Sequence, residues 1–259
     1  LNAWTSGLEK GKLNILAARP AMGKTSFGLQ IAARTAMIEN LTVAVFSLEM
    51  TEKQCIQKII ANQCFIPTEK MRHGTLTDED IKRMNDFAAM LATKKIAIDG
   101  SARLTIPEIK HKCRKIKKKY GTLDLVVVDY IGKMTGEGDT RQQQIGYVTW
   151  GLKQLAKELD CSVLALSQLN RGVEGRENKR PTLADLRESG DIEQDADLIM
   201  FLYRDEYYNP DTDKKGTAEL IIGKQREGRT GTIKLAWLKE IQRFASLERG
   251  RYEKMAEKE

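Results

Sequence analysis

The chain has 259 residues, 41% of them hydrophobic and 31% charged, enough to bury a large core as one α/β domain. A formal net charge of +7 allows a polyanionic partner without requiring one, since the 43 Lys and Arg also serve solubility. Four cysteines without a C-x-x-C pair and two histidines argue against a zinc site or a disulfide framework, and no apolar run reaches the ~20 residues of a membrane span.

Cys55, Cys64, Cys113 and Cys161 are expected to be reduced thiols, and the protein cytoplasmic. No secretory leader is recognised. Residue 1 is Leu rather than Met, which raises the expectation that an N-terminal portion is missing.

The first strand is predicted at Leu13 to Ala18 and the first helix near 25–38, with Ala18-Arg19-Pro20-Ala21-Met22-Gly23-Lys24-Thr25 between them. A strand, a tight loop ending Gly-Lys-Thr and a helix make a phosphate cradle, because loop amides and a helix N-terminus present positive dipoles. Lys24 can reach phosphates, the Thr25 hydroxyl can ligate Mg²⁺, and Gly23 lets the backbone approach without a Cβ. Ala18 stands where the generic G-x-x-x-x-G-K-[ST] pattern has its first Gly, so the match is incomplete.

A second strand, Thr42 to Ser47, delivers Glu49 to the same edge, where a carboxylate can orient or deprotonate water; its alternative use is to cap the helix at 51–62. A helix near 77–92 and a strand at Lys95 to Asp99 follow. The helix at 105–119 carries Lys110, Lys112, Arg114, Lys115, Lys117, Lys118 and Lys119 around Ile109, Cys113 and Ile116, which reads as the solvated face of an amphipathic helix.

The strand Leu123 to Asp129 ends in a carboxylate placed for Mg²⁺, since ligands sit at strand carboxyl ends in open α/β sheets. After a helix at 141–159, the strand Ser162 to Ser167 ends at Gln168, which can donate and accept at once and suits a γ-phosphate sensor. The loop Asn170 to Pro181 contains Arg171, Gly172, Gly175, Arg176, Lys179 and Arg180, a mobile basic loop able to grip a polyanion or an ordinary surface loop. Leu198 to Tyr203 is a sixth apolar strand; Thr217 to Gly223 and Thr230 to Trp237 read as a terminal antiparallel hairpin, and 248–259 as a charged tail. Continuous apolar strands alternating with helices predict a mostly parallel sheet with right-handed crossovers.

With these residues in place the chain resembles the RecA-like ATPase domain of the DnaB family of replicative hexameric helicases. The matching motifs are ARPAMGKT (18–25), FSLEM (46–50), LVVVDYI (125–131), LALSQLNR (164–171), LRESGDIEQDADLIMFLYRDE (186–206) and GKQREGRTGTIKLAW (223–237), and Ala18 is similar to the form this family uses. The resemblance implies a RecA-like P-loop NTPase core over 1–247, a twisted, mostly parallel sheet flanked by helices. It implies ATP and Mg²⁺ bound by Arg19, Pro20, Ala21, Met22, Gly23, Lys24, Thr25 and Ser26, with metal support from Thr25 and Asp129. Glu49 would activate water, Gln168 would sense phosphate, and Lys224 with Arg226 as arginine finger would enter the neighbouring subunit's ATP site.

The implied DNA contacts are Arg187, Glu188, Ser189 and Gly190, with Glu188 orienting rather than attracting, beside the basic-loop residues Arg171, Lys179 and Arg180. Residues 134–144, edged by Lys133 and Arg141, would be a second central loop. Implied partners are single-stranded DNA, further copies of the chain in a homohexameric ring, a primase and a helicase loader, with no membrane; implied polarity is 5′→3′. Family members usually carry an N-terminal helical domain and linker, which are not recognised here. Alternatives are a recombinase-like filament ATPase and a nucleotide-switched replication scaffold, with a small-molecule kinase behind them.

Overall fold

A computed structural model describes residues 2–247; at 2, 3 and 187–190 it describes the backbone only, and the tail at 248–259 lies outside the described residues. The elements run α1 (Asn2–Thr5), β1 (Leu13–Ala18), α2 (Lys24–Met37), β2 (Val43–Ser47), α3 (Glu52–Cys64), α4 (Thr68–His73), α5 (Asp78–Ala92), β3 (Ile96–Asp99) and α6 (Ile106–Tyr120). They continue with β4 (Leu125–Asp129), α7 (Arg141–Leu159), β5 (Ser162–Gln168), α8 (Gly190–Asp195), β6 (Leu198–Tyr203), α9 (Asp205–Tyr208), β7 (Thr217–Gln225), β8 (Gly231–Leu238) and β9 (Arg243–Ser246). Short 3₁₀ turns occupy Ile131–Lys133, Arg171–Gly175 and Leu183–Ser189.

Among the described residues the strands form one sheet in the order β3-β2-β4-β5-β1-β6-β7-β8-β9. The first six are mutually parallel and β7, β8 and β9 follow antiparallel. Strands β1, β2, β4 and β6 are buried at every position, as expected for strands covered on both faces. Alternation divides them: Leu13, Ile15 and Ala17 face a core with α6 and α7, whereas Leu16 and Ala18 face one with α2, α3 and the antiparallel strands. Sequence placed the hairpin β7–β8; β9 is an added strand whose four residues bury Phe244, too short to show a period of two.

The basic helix is α6 and it packs as expected, with Ile109 and Cys113 fully buried. Its charges are partly matched: Arg114 and Lys110 pair with Glu158 at 2.5 and 3.7 Å, and Lys112 pairs with Asp99. Helices α3, α5, α6 and α7 each begin with a complete capping box led by Thr51, Thr77, Thr105 and Thr140. Helix α2 begins at Gly23 without a side-chain cap, so its first-turn amides keep no internal partner of that kind.

Candidate functional site

The loop joining β1 to α2 lies at the carboxyl end of the sheet, and two of its residues have positive φ, Ala21 at 64° and Gly23 at 95°. The Arg204 guanidinium, at the end of β6, donates to Ala21 O at 3.0 Å and holds that uncommon non-glycine conformation. A Cβ on Gly23 would lie 2.8 Å from Phe244 Cζ, so the position is closed by backbone angle and by the aromatic of β9. Gly23→Ala is therefore expected to cost about 1–2 kcal/mol from the left-handed angle alone, plus the clash. The checks are a lower melting temperature and weaker binding of a fluorescent ATP analogue; a variant matching wild type in both would contradict this reading.

Strand order gathers the predicted chemistry. Lys24 and Thr25 open α2, and Asp129 ends β4, buried at 3% exposure. Thr25 Oγ1 donates to Asp129 Oδ2 at 2.6 Å, and Lys24 Nζ lies 3.2 Å from Asp129 Oδ1 and 4.3 Å from the centre of the Tyr130 ring. The Lys24–Oδ1 approach is an ion pair without hydrogen-bond geometry, so Oδ1 is a buried oxygen with no hydrogen-bond partner. Burial pushes the Lys24 ammonium below its ordinary pKa, against the upward pull of Asp129 and Glu49.

Glu49, just past β2, is exposed and pairs with Lys133 at 3.7 Å. It does not cap α3; that task falls to Thr51 and Gln54. Gln168 ends β5, exposed, its Cα paired with that of Ala18 across the β1–β5 ladder. Pro20, Ala21, Gly23, Lys24, Thr25, Ser26, Glu49 and Gln168 line one open cleft of about 550 Å³, a size that suits a nucleotide.

Other predicted residues lie elsewhere. Met22 is buried under the loop at 1% exposure, and Arg19 turns its guanidinium to Leu169 O and Glu174. Lys224 and Arg226 sit at the opposite end of the sheet, where β7 runs beside the start of β6: Gln225 pairs with Leu198, and Leu198 with Asn14. Lys224 Nζ donates to Glu193 O, and Arg226 Nη2 donates to Gln194 O at 2.5 Å, so both cations rest on carbonyls at the C-terminal end of α8.

The basic loop is not loosely held as expected, because Val173 is fully buried and its charges are engaged. Arg180 makes two 2.7 Å bonds to Glu219 and lies over the Tyr203 ring; Lys179 lies over Tyr208; Arg176 bonds Asp185 at 2.8 Å. Arg171 is exposed. The 187–190 backbone joins a 3₁₀ turn to α8, and the Arg187, Glu188, Ser189 and Gly190 side chains lie outside the described residues. Lys133 faces Glu49, and Arg141 donates to Gly132 O and to Gln144 Oε1 at 3.0 Å.

Lys58, Arg204, Tyr207, Trp237, Lys239 and Gln242 also line the cleft and were not anticipated. Lys58, on α3, is pushed below its ordinary pKa by burial and shares Gln242 Oε1 with Ser26. In sequence it is one more lysine on an amphipathic helix. Arg204 was findable, since it follows the carboxyl end of a buried strand by the same logic that marked Asp129 and Gln168.

The residues present fit a magnesium ion. A hydroxyl and a carboxylate with one unmatched buried oxygen stand together beside a lysine, and Mg²⁺ uses one or two such protein groups with substrate phosphates and waters. No cluster of three or more His, Cys, Asp or Glu suited to a metal occurs among the described residues, so the protein alone offers no cage. No helix among them is long and apolar enough to cross a membrane.

The chain is 44% identical to the replicative DNA helicase DnaB of Geobacillus stearothermophilus over 252 residues, covering 96% of this chain and 55% of that protein. It is 43% identical to the replicative DNA helicase DnaC of Bacillus subtilis (strain 168) over 252 residues, with the same shares of 96% and 55%. It therefore spans about half the length of these curated relatives. Among solved structures it is similar to a helicase-family ATPase domain, with a TM-score of 0.91 at 37% identity over 95% of this chain and 88% of that one. It is likewise similar to a DnaB-like replicative helicase studied for its interactions with primase, with a TM-score of 0.90 at 37% identity, over 95% of this chain and 60% of that one. The family model described as DnaB-like helicase C terminal domain matches residues 1–246. Fold, site geometry and these similarities agree: the chain belongs to the DnaB-like helicase C-terminal domain family.

Proposed function

We propose that this chain is the ATP-driven motor of a replicative DNA helicase, working as a homohexameric ring around single-stranded DNA. One observation carries the reading. The cleft with Lys24, Thr25, Asp129, Glu49 and Gln168 lies at one end of the sheet, and Lys224 and Arg226 lie at the other. The ladder from Asn14 to Ala18 separates them by at least about 13 Å at ~3.3 Å per residue, before the loop is counted. A cation for the transferring phosphoryl group then comes from a second copy, and head-to-tail repetition of that contact closes a ring.

In this reading the α2 amides and Lys24 hold the β- and γ-phosphates, Thr25 and Asp129 hold the Mg²⁺, and Glu49 orients the attacking water. The magnesium ion, when bound, neutralises phosphate charge. Arg226 of a neighbouring copy stabilises the charge on the transferring group, and Gln168 carries the loss of the γ-phosphate into the chain that follows it. Backbone contacts around Arg187 and Gly190 hold the DNA with little sequence preference and strong salt dependence. A primase, a helicase loader, cytoplasmic residence and 5′→3′ movement complete the proposal and rest on the family.

The test is ATP turnover with and without single-stranded DNA, alongside a mass measurement and electron microscopy of the assembly. Stimulation by DNA and closed rings are expected. A fully active lone subunit indifferent to DNA would overturn the reading, and open filaments would favour a recombinase-like ATPase. Arg187→Ala is expected to weaken single-strand binding about tenfold, with a shallower salt dependence, and to leave nucleotide binding unchanged. Fluorescence anisotropy with labelled oligonucleotide and with labelled nucleotide measures both, and equal losses would refute the division of roles.

A further inference from the structure

Arg19 follows β1 directly and belongs to the nucleotide loop by sequence, yet its side chain leaves the cleft. It is 7% exposed. Nη1 donates to Leu169 O at 2.7 Å, and Nε and Nη2 both donate to Glu174 Oε1, at 2.9 and 2.7 Å. Leu169 N in turn donates to Ala18 O at 3.1 Å. Both main-chain polar groups of Leu169 are thus tied to the first two residues of the loop. The residue just before Leu169 is Gln168, in register with Ala18. Gln168 cannot shift along the strand without stretching one of these bonds. Glu174 gives the tether a second anchor, on a 3₁₀ turn seated by the buried Val173.

A buried guanidinium must be partnered to be tolerated, and its planar fork fixes direction as well as charge. This one is turned toward a carbonyl and a carboxylate on the segment that carries Gln168.

We propose that Arg19 is a positioning residue for Gln168: it fixes the sensing amide relative to the phosphate loop and transmits the amide's displacement through Glu174 into the 171–181 segment. The proposal rests on the reading of Gln168 as the phosphate-facing group. Arg19 itself is no phosphate ligand. Loss of the γ-phosphate frees Gln168, and the Arg19 fork makes the phosphate loop and the 171–175 turn respond together.

The experiment is a double-mutant cycle on DNA-stimulated ATP turnover with Arg19→Gln, Gln168→Ala and the pair, repeated with Arg19→Lys, beside binding of a non-hydrolysable ATP analogue. Each single variant is expected to lower kcat about tenfold or more, and the pair to fall no further than Gln168→Ala alone. Analogue affinity of Arg19→Gln is expected to stay within about twofold of wild type. Arg19→Lys is expected to rescue little, because an ammonium cannot span Leu169 O and Glu174 as the fork does.

A loss in the pair equal to the product of the single losses would overturn the proposal. So would full rescue by lysine, or an affinity loss as large as the rate loss. If Arg19→Gln does not fold, Glu174→Gln enters the same cycle with the same expected saturation. Wild-type turnover by Gln168→Ala would remove the sensor reading and the proposal together; impaired Gln168→Ala with independent Arg19 effects would remove the proposal alone.

Discussion

Lys24→Ala is expected to bring ATP turnover to background, a loss of at least about 10²–10³ in kcat, the range for deleting one pre-organised donor to developing charge. Here the donor is also a buried point charge, with a side chain 12% exposed beside an aspartate. Its effect on the transferring phosphates is therefore less screened than at a surface. The fold is expected to survive. Burial already lowers the Lys24 pKa, so at neutral pH the charged ammonium opposes folding, and Asp129 keeps its 2.6 Å bond from Thr25 after the lysine is gone. Alanine also favours the first turn of α2.

Circular dichroism melts within a few degrees of wild type, with no phosphate release, are the expected results. Wild-type-like hydrolysis would discredit the site. The pH dependence has a definite sign. A lowered lysine pKa means the cation is lost below the ordinary 10.5 as pH rises, so ATP affinity of the nucleotide-free protein is expected to fall at lower pH than for an unburied lysine. In Lys24→Ala that alkaline limb should disappear.

Arg226→Ala is expected to abolish hydrolysis in the assembly, by about 10³–10⁵ if it acts as an arginine finger. The two variants carry defects on opposite ends of one sheet. In a mixed assembly, an Arg226→Ala subunit has an intact Lys24 cleft and a Lys24→Ala neighbour has an intact finger. Some interfaces are then fully wild type, and mixing two inactive proteins is expected to recover activity, greatest near equal proportions. No recovery at any ratio would count against action in trans. The contacts Arg226 must leave are modest: one bond to Gln194 O and a 3.7 Å approach to Asp197 from a side chain 49% exposed, and such exposed pairs contribute little.

The elements that sequence located best are those buried on both faces. β1 and β6 were placed to the residue because a continuous apolar run bounded by polar residues leaves little freedom at its ends. α5, α6 and α7 begin within a residue of where they were expected, each behind a Thr that opens a capping box. β9, α4 and α9 were missed because segments of four to six residues carry too little periodicity to separate from loop. The basic loop misled for a different reason. Its arginines and lysines read as free charge, whereas their partners Asp185, Tyr203, Tyr208 and Glu219 come from segments outside it.

Sequence by itself determined the alternation of strands and helices, the phosphate loop with Lys24 and Thr25, and the polar residues at the strand ends, Glu49, Asp129 and Gln168. Each follows from hydrophobic period or from the local backbone needs of a turn, and both are written in neighbouring residues. Only the tertiary structure decided which groups meet. The order β2-β4-β5-β1 brings Asp129 to 2.6 Å from Thr25, turns Arg19 to Leu169, sets Lys58 and Arg204 into the cleft and carries Arg226 to the far end of the sheet. Those meetings depend on strand order and packing between segments far apart in the chain, and a local pattern of residue types contains no term for either.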